Sequence, residues 1–561
     1  MNASRAQAPS APAELAAVSA APVAAPEGSV TAPAGAMRDI RRRMAARAFW
    51  LPGLVLSALA IALRLLVATR REGIEIDGVT YLQNAQALLR GDWGAISILH
   101  PPLYSALLAP FLGLWSDPEW GARVASAVLG GLWVWPTLWL ARETTDERVA
   151  WPAGLLVAFL PAAVEAGTRV LAEATFGLCL TAFLAACIQT LRTRSLRGAA
   201  LAGALGGLAA LARPEGMGYL ALAWAVLLLS SRLAGASWTL RLALSRIAAL
   251  TALWLLVMSP YMVLVRSQTG HWHWSGKMGI TLSFAESVGD ERQGSFFERS
   301  IAGKRPDELE QGLLESVLRR PGSAARRAAL NLHHMDKYVL PALLQTGGLA
   351  LLVLGLVKLR FRRAPAPPEW FLAVAPLPLA GLLFFIVSPR YFVPILPVLS
   401  IIAGIGVTRL GRARTEAKGP RRRPATLGIL LLGIVLVSFV PWIIRPWFRQ
   451  DAGALEKAAG LWLRRTAGPR AAFIGTYGRI GYYAEAQAIP FGNQPLEALL
   501  REGRRAGARF LIADSAYLPA ARPDLMALAA GSPGGHPELE LAHVLADRAG
   551  NRLTIYRIRG T

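Results

Sequence analysis

The sequence predicts a polytopic α-helical membrane protein, a bundle of about eleven spans followed by a small soluble α/β domain. Three observations carry this expectation. The 561 residues are 54% hydrophobic, include 17 tryptophans and have a mean hydropathy of +0.39, a composition of membrane chains rather than of soluble globules. Eleven apolar stretches fall near residues 48–68, 119–141, 149–165, 173–191, 198–212, 217–231, 247–265, 339–357, 370–388, 391–408 and 426–444, most of them near the roughly 20 residues that cross ~30 Å of hydrocarbon. The positive charge, finally, is unevenly shared between alternate loops.

The net charge of +24 invites a nucleic-acid partner, but its distribution argues against one. Counting from a cytoplasmic N-terminus, the inward segments hold 24 Lys and Arg and the short outward ones 6. This is the positive-inside bias of a membrane topology. An odd number of spans then places the C-terminus outside. Only six of the 60 basic residues are lysine, which suggests a GC-rich bacterial genome and hence a bacterial inner membrane.

Residues 1–36 are rich in Ala, Pro and Ser and are expected to be disordered. Met37 opens the basic run MRDIRRRMAAR ahead of the first span and is an alternative start. The domain boundaries follow: 1–36, a membrane domain over 37–445 with outer loops 69–118 and 266–338, and an extracytoplasmic domain over 446–561. In the last, strand-like AAFIG, RFLIAD and LTIYRI alternate with helical GALEKAAGLWLRRTA and PLEALLREGRRAG. Within the 266–338 loop, PDELEQGLLESVLRR and SAARRAALNLHH read as amphipathic helices on the membrane surface. The two cysteines, Cys179 and Cys187, lie about 12 Å apart along one helix, too far for a disulfide.

The candidate chemistry gathers at the outward ends of the spans. Asp77, in EIDGVTYL, follows the first span and is the leading candidate for a general base; such a group contributes ~10²–10⁴-fold. Its other reading is an N-cap for a helix that presents Tyr81 and Asn84. In HPPLY two prolines stiffen the backbone around His100, a phosphate partner or an incidental turn residue. Glu173 opens the fourth span, and a carboxylate there needs a polar cavity or an arginine. LARPEG joins two short spans, which sinks Arg213 and Glu215 below the surface. VSPRYF sets Arg390 and Tyr391 on an outward hairpin, and arginine suits bidentate phosphate binding. Arg266 and Lys277 flank the HWHW segment, where a cationic patch lining the substrate is preferred to a metal. No metal or other cofactor is expected.

These residues together resemble the C-type glycosyltransferases that use polyprenyl-phosphate sugars, in particular glycosyltransferase family 39, with its protein mannosyltransferases and aminoarabinose transferases. The resemblance spans about 48–445. It implies that Asp77 is the catalytic base, that Glu173 is the second acidic residue, and that His100 stands where the family's x-P-P-L segment contacts the lipid phosphate. Arg213 and Arg390 occupy positions similar to the family's polar motifs. The sequence departs from the pattern at Gly78, where many members have a second acid, and at His100, where lysine is frequent. The implied function is inverting transfer of a sugar from a polyprenyl phosphate to an extracytoplasmic lipid, glycan or protein acceptor, with membrane lipids around the bundle. A polytopic transporter or lipid-linked sugar flippase is the alternative, although transporters place such groups near the bilayer midplane.

Overall fold

A computed structural model describes residues 34–233, 238–276, 317–358, 369–385, 387–416, 425–450, 453–475, 478–492, 494–531 and 536–560. Residues 1–33 and the helix read at 306–320 up to residue 316 lie outside these, as does Lys277. The chain divides into two units, Met1–Pro52 and Gly53–Thr561. The first contributes the N-terminal part of helix α1 (Ala34–Ala68); the second carries the rest of the described chain.

Seven described helical segments are long and apolar enough to cross a membrane: 49–68, 118–144, 173–193, 240–269, 321–357, 389–410 and 427–447. Four shorter apolar helices, 103–114, 196–212, 216–230 and 370–384, complete the set. The protein is thus a multi-pass membrane protein. After α1 come α2 (Ile76–Arg90), α3 (Leu103–Leu114), α4 (Pro118–Leu132), α5 (Val134–Thr144), α6 (Glu147–Phe159), α7 (Pro161–Ala166), α8 (Glu173–Thr193), α9 (Leu196–Ala212), α10 (Gly216–Leu233) and α11 (Leu240–Thr269). Beyond them lie α12 (Pro321–His334), α13 (Leu340–Lys358), α14 (Glu369–Val374), α15 (Pro389–Phe392), α16 (Leu396–Glu416) and α17 (Ala425–Ile443).

Several expected spans take a different form. The run 149–165 is two helices, because Leu160 (φ −55°, ψ 127°) precedes Pro161 and leaves the helical region, as residues before proline do. The amphipathic α12 is not a separate surface helix; a π-turn at Met335–Val339 joins it to α13. The run 370–388 begins as α14 and continues as 3₁₀ turns over Leu377–Phe384. HPPLY introduces α3 with Pro102 as its N-cap.

The α6–α7 break exposes carbonyls inside the bundle, and Arg64 of α1 covers them. Its guanidinium donates to the carbonyls of Ala158 (3.0 Å), Val157 (3.2 Å), Ala163 (3.2 Å) and Ala60 (3.1 Å), and the side chain is fully buried. A broken helix within a membrane is stable only where other groups satisfy its backbone. Small residues do equivalent work elsewhere: a Cβ on Gly203 of α9 would stand 2.1 Å from the Leu250 carbonyl of α11. The two helices therefore pack backbone to backbone, as membrane helices with small interfaces do. Cys179 and Cys187 are buried free thiols in α8.

After α17 the chain forms α18 (Ala454–Ala467), β1 (Ala472–Ile474), α19 (Arg479–Ala484), β2 (Gln487–Ile489), α20 (Leu496–Arg505), β3 (Ala508–Asp514), β4 (Leu539–Ala546) and β5 (Arg552–Ile558). The strand order is β2-β1-β3-β5-β4, with β1 parallel to both β2 and β3, and β5 antiparallel to both β3 and β4. Leu496, Leu499 and Leu500 of α20 cover one face of the sheet, and Ala459 and Leu463 of α18 with Ile480 of α19 cover the other.

Arg64→Leu keeps the apolar stem and removes every donor from the α6–α7 break. The solubilised variant is expected to inactivate markedly faster on heating, with a loss of about 2–4 kcal/mol; thermal half-life in detergent measures it. Unchanged half-life would mean that the broken backbone finds other donors.

Candidate active site

Asp77 sits in the first turn of α2, but the N-cap position belongs to Glu75, which makes no side-chain cap bond. The Asp77 carboxylate instead faces across the site: one oxygen accepts from Arg390 Nη2, and the other lies 3.8 Å from His100 Nε2. Gly78 makes this placement possible. A Cβ there would come within 2.8 Å of the Val170 carbonyl, so α2 packs directly on the loop that leads to Glu173. That contact leaves no room for a second acidic side chain after Asp77.

Glu75 ties the two acidic loops together from the other side. Its carboxylate accepts from the Val170 N–H (3.2 Å) and lies 3.5 Å from Arg169 Nε. Glu173 is therefore held beside Asp77 although nearly a hundred residues separate them. Its Oε1 pairs with Arg213 Nη1 (2.8 Å) and lies 3.6 Å from Arg390 Nε. Its Oε2 is buried and has no hydrogen-bond partner among the described residues. A buried carboxylate oxygen left in this way is costly unless a ligand completes it.

Arg213, at the end of α9, is clamped by both Glu173 and Glu215, the latter at 2.8 and 3.3 Å. The Tyr391 ring lies 5.2 and 5.1 Å from the guanidinium carbons of Arg213 and Arg390, within cation–π range of both. The Tyr81 ring lies 4.6 Å from the tilted His100 ring and packs edge-on to Tyr104 at 4.9 Å. Burial pushes the Tyr81 phenol well above its usual range, with the Asp77 and Glu173 carboxylates adding to the rise and Arg213 opposing it, so Tyr81 is a neutral donor.

Eight of the eleven residues named from the sequence thus meet in one cluster: Asp77, Tyr81, His100, Glu173, Arg213, Glu215, Arg390 and Tyr391, while the Asn84 amide exchanges hydrogen bonds with the Ser97 backbone. Arg266 stands apart, exposed, with its guanidinium 4.9 Å from the Trp272 ring. The His271 and His273 rings lie 6.1 Å apart, tilted to each other. Among the described residues no three His, Cys, Asp or Glu gather as metal ligands do.

A second ionic network, not foreseen from the sequence, grips the loop before Asp77. The buried Glu119 carboxylate takes Arg123 on one oxygen and both Lys457 Nζ (2.8 Å) and Tyr483 OH (3.0 Å) on the other. Arg123 also donates to the carbonyls of Arg71 and Gly73 (3.1 Å), and the Ile74 N–H donates to Tyr483 OH (3.1 Å). Lys457 belongs to α18 and Tyr483 to α19. The C-terminal domain therefore packs on the same side of the bundle as Asp77 and holds its loop. Burial first, then the Glu119 charge, keeps the Tyr483 phenol protonated, so it donates to Glu119 while it accepts from Ile74.

The fold that carries this cluster is shared with solved membrane proteins, and one segment of the chain matches a family model. Residues 99–264, from the residue before His100 through the Arg213 turn, match the family model described as dolichyl-phosphate-mannose-protein mannosyltransferase. ArnT from Cupriavidus metallidurans in its apo state superposes with a TM-score of 0.58 at 15% identity, over 91% of this chain and 98% of that one. The same transferase bound to undecaprenyl phosphate gives 0.57 at 14%, over 90% and 98%. The archaeal oligosaccharyltransferase AglB from Archaeoglobus fulgidus, in complex with an inhibitory peptide and a dolichol-phosphate, gives 0.55 at 15%, over 91% of this chain and 74% of that one. No curated protein matches in sequence. The family match thus covers under a third of the chain, and the likeness to these solved structures is one of fold.

Tyr483→Phe removes the acceptor for Ile74 and one donor to Glu119, a change worth about 1–3 kcal/mol. Turnover by the purified full chain is expected to fall about tenfold, with donor KM little changed. A fall in thermal stability with turnover intact would limit the network to holding the domain on.

Proposed function

We propose that this protein transfers a sugar from a polyprenyl-phosphate donor to an acceptor hydroxyl on the extracytoplasmic side of a bacterial inner membrane, with inversion at the anomeric carbon. The observation that carries the reading is the pairing of Asp77 and Glu173 across Arg390 at the ends of the bundle helices. Such a donor already contains a good leaving group. The enzyme's work is to accept the acceptor's proton and to stabilise charge as the leaving group departs.

In this mechanism Asp77 is the general base. The acceptor oxygen attacks the anomeric carbon, its proton passes to an Asp77 oxygen, and the bond from that carbon to the phosphate oxygen breaks with its electron pair leaving on polyprenyl phosphate. One displacement on the face opposite the leaving group inverts the centre. Arg390 is the nearest cation for the phosphate, since its guanidinium is about a third exposed while Arg213 is nearly buried. His100 and Tyr81 lie beside Asp77 and fix its orientation. Glu173, whose Oε2 is buried without a hydrogen-bond partner among the described residues, is the second acidic residue of the site. Arg266 and Lys277 stay candidates for guiding the anionic head group, and no metal is assigned a role. The acceptor is a lipid, glycan or protein.

The arginine pairing has a consequence for the base. An adjacent guanidinium favours the carboxylate form and so weakens its pull on a proton. A donor phosphate that engages Arg390 draws that charge away, and Asp77 becomes a stronger base once the donor is bound.

Asp77→Asn is expected to lower transfer at least 10²-fold while the protein still inserts. Cells lacking the protein should accumulate one polyprenyl-phosphate sugar by mass spectrometry, relieved by wild type and not by Asp77→Asn. Full relief by Asp77→Asn would remove Asp77 as base. An unchanged donor pool, with no parallel enzyme present, would count against the transferase reading of the whole site. Arg390→Gln should raise donor KM as well as lower kcat; a change in kcat alone would move the phosphate contact elsewhere.

A further inference from the structure

On its other flank, α2 forms one wall of a cleft of about 780 Å³ whose opposite wall is the C-terminal domain, from α18 through α19 to β2. This cleft is separate from the Asp77 cluster, yet Ile76 at its edge is the residue next to Asp77. Its chemistry is distinctive in what is already used. The Lys457 charge is spent on Glu119 and the Arg464 charge on Glu485 (3.0 Å), and the Asp117 carboxylate caps α4 by accepting from Glu119 N–H. What is left for a ligand is neutral. Thr80, Gln83, Gln86 and Gln487 line the cleft and make no side-chain hydrogen bond among the described residues.

Each amide both donates and accepts, which matches a ligand whose hydroxyls do the same. The remaining wall is apolar or aromatic: Ile76 is 60% and Leu461 37% exposed, and the Tyr482 ring packs edge-on to Tyr483. Paired amides beside exposed aliphatic and aromatic surface fit the two-sided character of a pyranose, polar at its rim and apolar on its faces.

We propose that this cleft is the acceptor subsite and that it takes a neutral, hydroxyl-rich saccharide. The proposal rests on the transferase reading above, because it gives the C-terminal domain the task of presenting an acceptor hydroxyl past Ile76 to Asp77. The floor of the cleft is the Glu119 network, so the surface that binds the acceptor is built on the residues that hold the Asp77 loop.

The test uses the purified full chain in detergent. Its affinity is measured for a panel of neutral di- to pentasaccharides of hexose and N-acetylhexosamine, and for a matched panel of uncharged peptides. Wild type is expected to bind at least one saccharide, and Gln83→Ala/Gln86→Ala and Gln487→Ala to weaken that binding about tenfold or more. These side chains are exposed or half-buried, so the variants should elute as folded protein on size exclusion. Binding of peptides alone, binding of neither panel, or saccharide binding that ignores all three glutamines overturns the proposal. Wild-type consumption of an undecaprenyl-phosphate sugar is measured in parallel: saccharide binding without it would leave the cleft standing and sink the transferase reading, and donor consumption without saccharide binding would do the reverse.

Discussion

The placement of two carboxylates from different loops around one guanidinium is the constraint on which the rest of this structure depends. Asp77 and Glu173 both contact Arg390, and like charges brought this close repel unless a cation sits between them. Arg390 arrives from the helical turns over 389–395, where the sequence suggested a hairpin, Glu173 from the start of α8 and Asp77 from the first turn of α2. Each of these segments begins at the end of an apolar helix, so the bundle has to finish its helices at one level. The shortness of α9, and the turn between α9 and α10 that carries Arg213, supply the second cation at a depth where long helices would have buried it in lipid. Gly78 then closes the arrangement, since its missing Cβ is what lets α2 meet the Val170 backbone.

That assembly has to be fixed from outside, because loops at the mouth of a bundle are otherwise the least ordered part of it. Glu119 supplies the fixing. It is buried, yet three donors converge on it, and the donors or their partners touch the backbone at Arg71, Gly73 and Ile74. A buried charge satisfied in this way contributes little net stability but makes alternative geometries expensive. The C-terminal domain provides two of the three donors, which makes it part of the active-site frame as well as a neighbour. Arg64 plays the corresponding part within the bundle, holding open the α6–α7 break that leads the chain towards Glu173.

What the sequence made legible was local. Hydropathy found the apolar runs, and the short motifs EIDG, HPPLY, RPEG and SPRY each carried a charged or aromatic residue where chemistry was expected; those residues do meet. Two kinds of feature were hidden. Long-range ion pairs leave no periodic trace: Glu119 stands in DPEW, which reads as a helix start, and nothing near it points to Lys457 some 340 residues later. Arg64 sits within an apolar run as a lone charge, and only the carbonyls freed by Leu160 and Pro161 explain it. In the C-terminal domain β1, β3 and β5 were visible as apolar strand-like runs, whereas the three-residue β2 and the longer β4 were not. The β4 segment LELAHVLA is rich in good helix formers and half exposed, and pairing with β5 overrides that local preference. Arg266, read from its position after a span, stands outside the cluster with its guanidinium over the Trp272 ring.

The same ion pair that assembles the site also sets a limit on its chemistry. Counting His100 as neutral, Asp77, Glu173 and Glu215 face Arg213 and Arg390, so the cluster carries one formal negative charge among the described residues. A glycosyl phosphodiester adds another. It can enter only if it takes a cation already in use, and Arg390 is the exposed one, whereas Arg213 is locked between two carboxylates with little exposure. In the transfer proposed above, donor binding and relief of the Asp77 pairing are one event: Arg390 holds Asp77 before it and the donor phosphate after it. An arrangement of this kind couples basicity to the presence of donor, and it disfavours proton transfer in an empty site without any lid or moving domain.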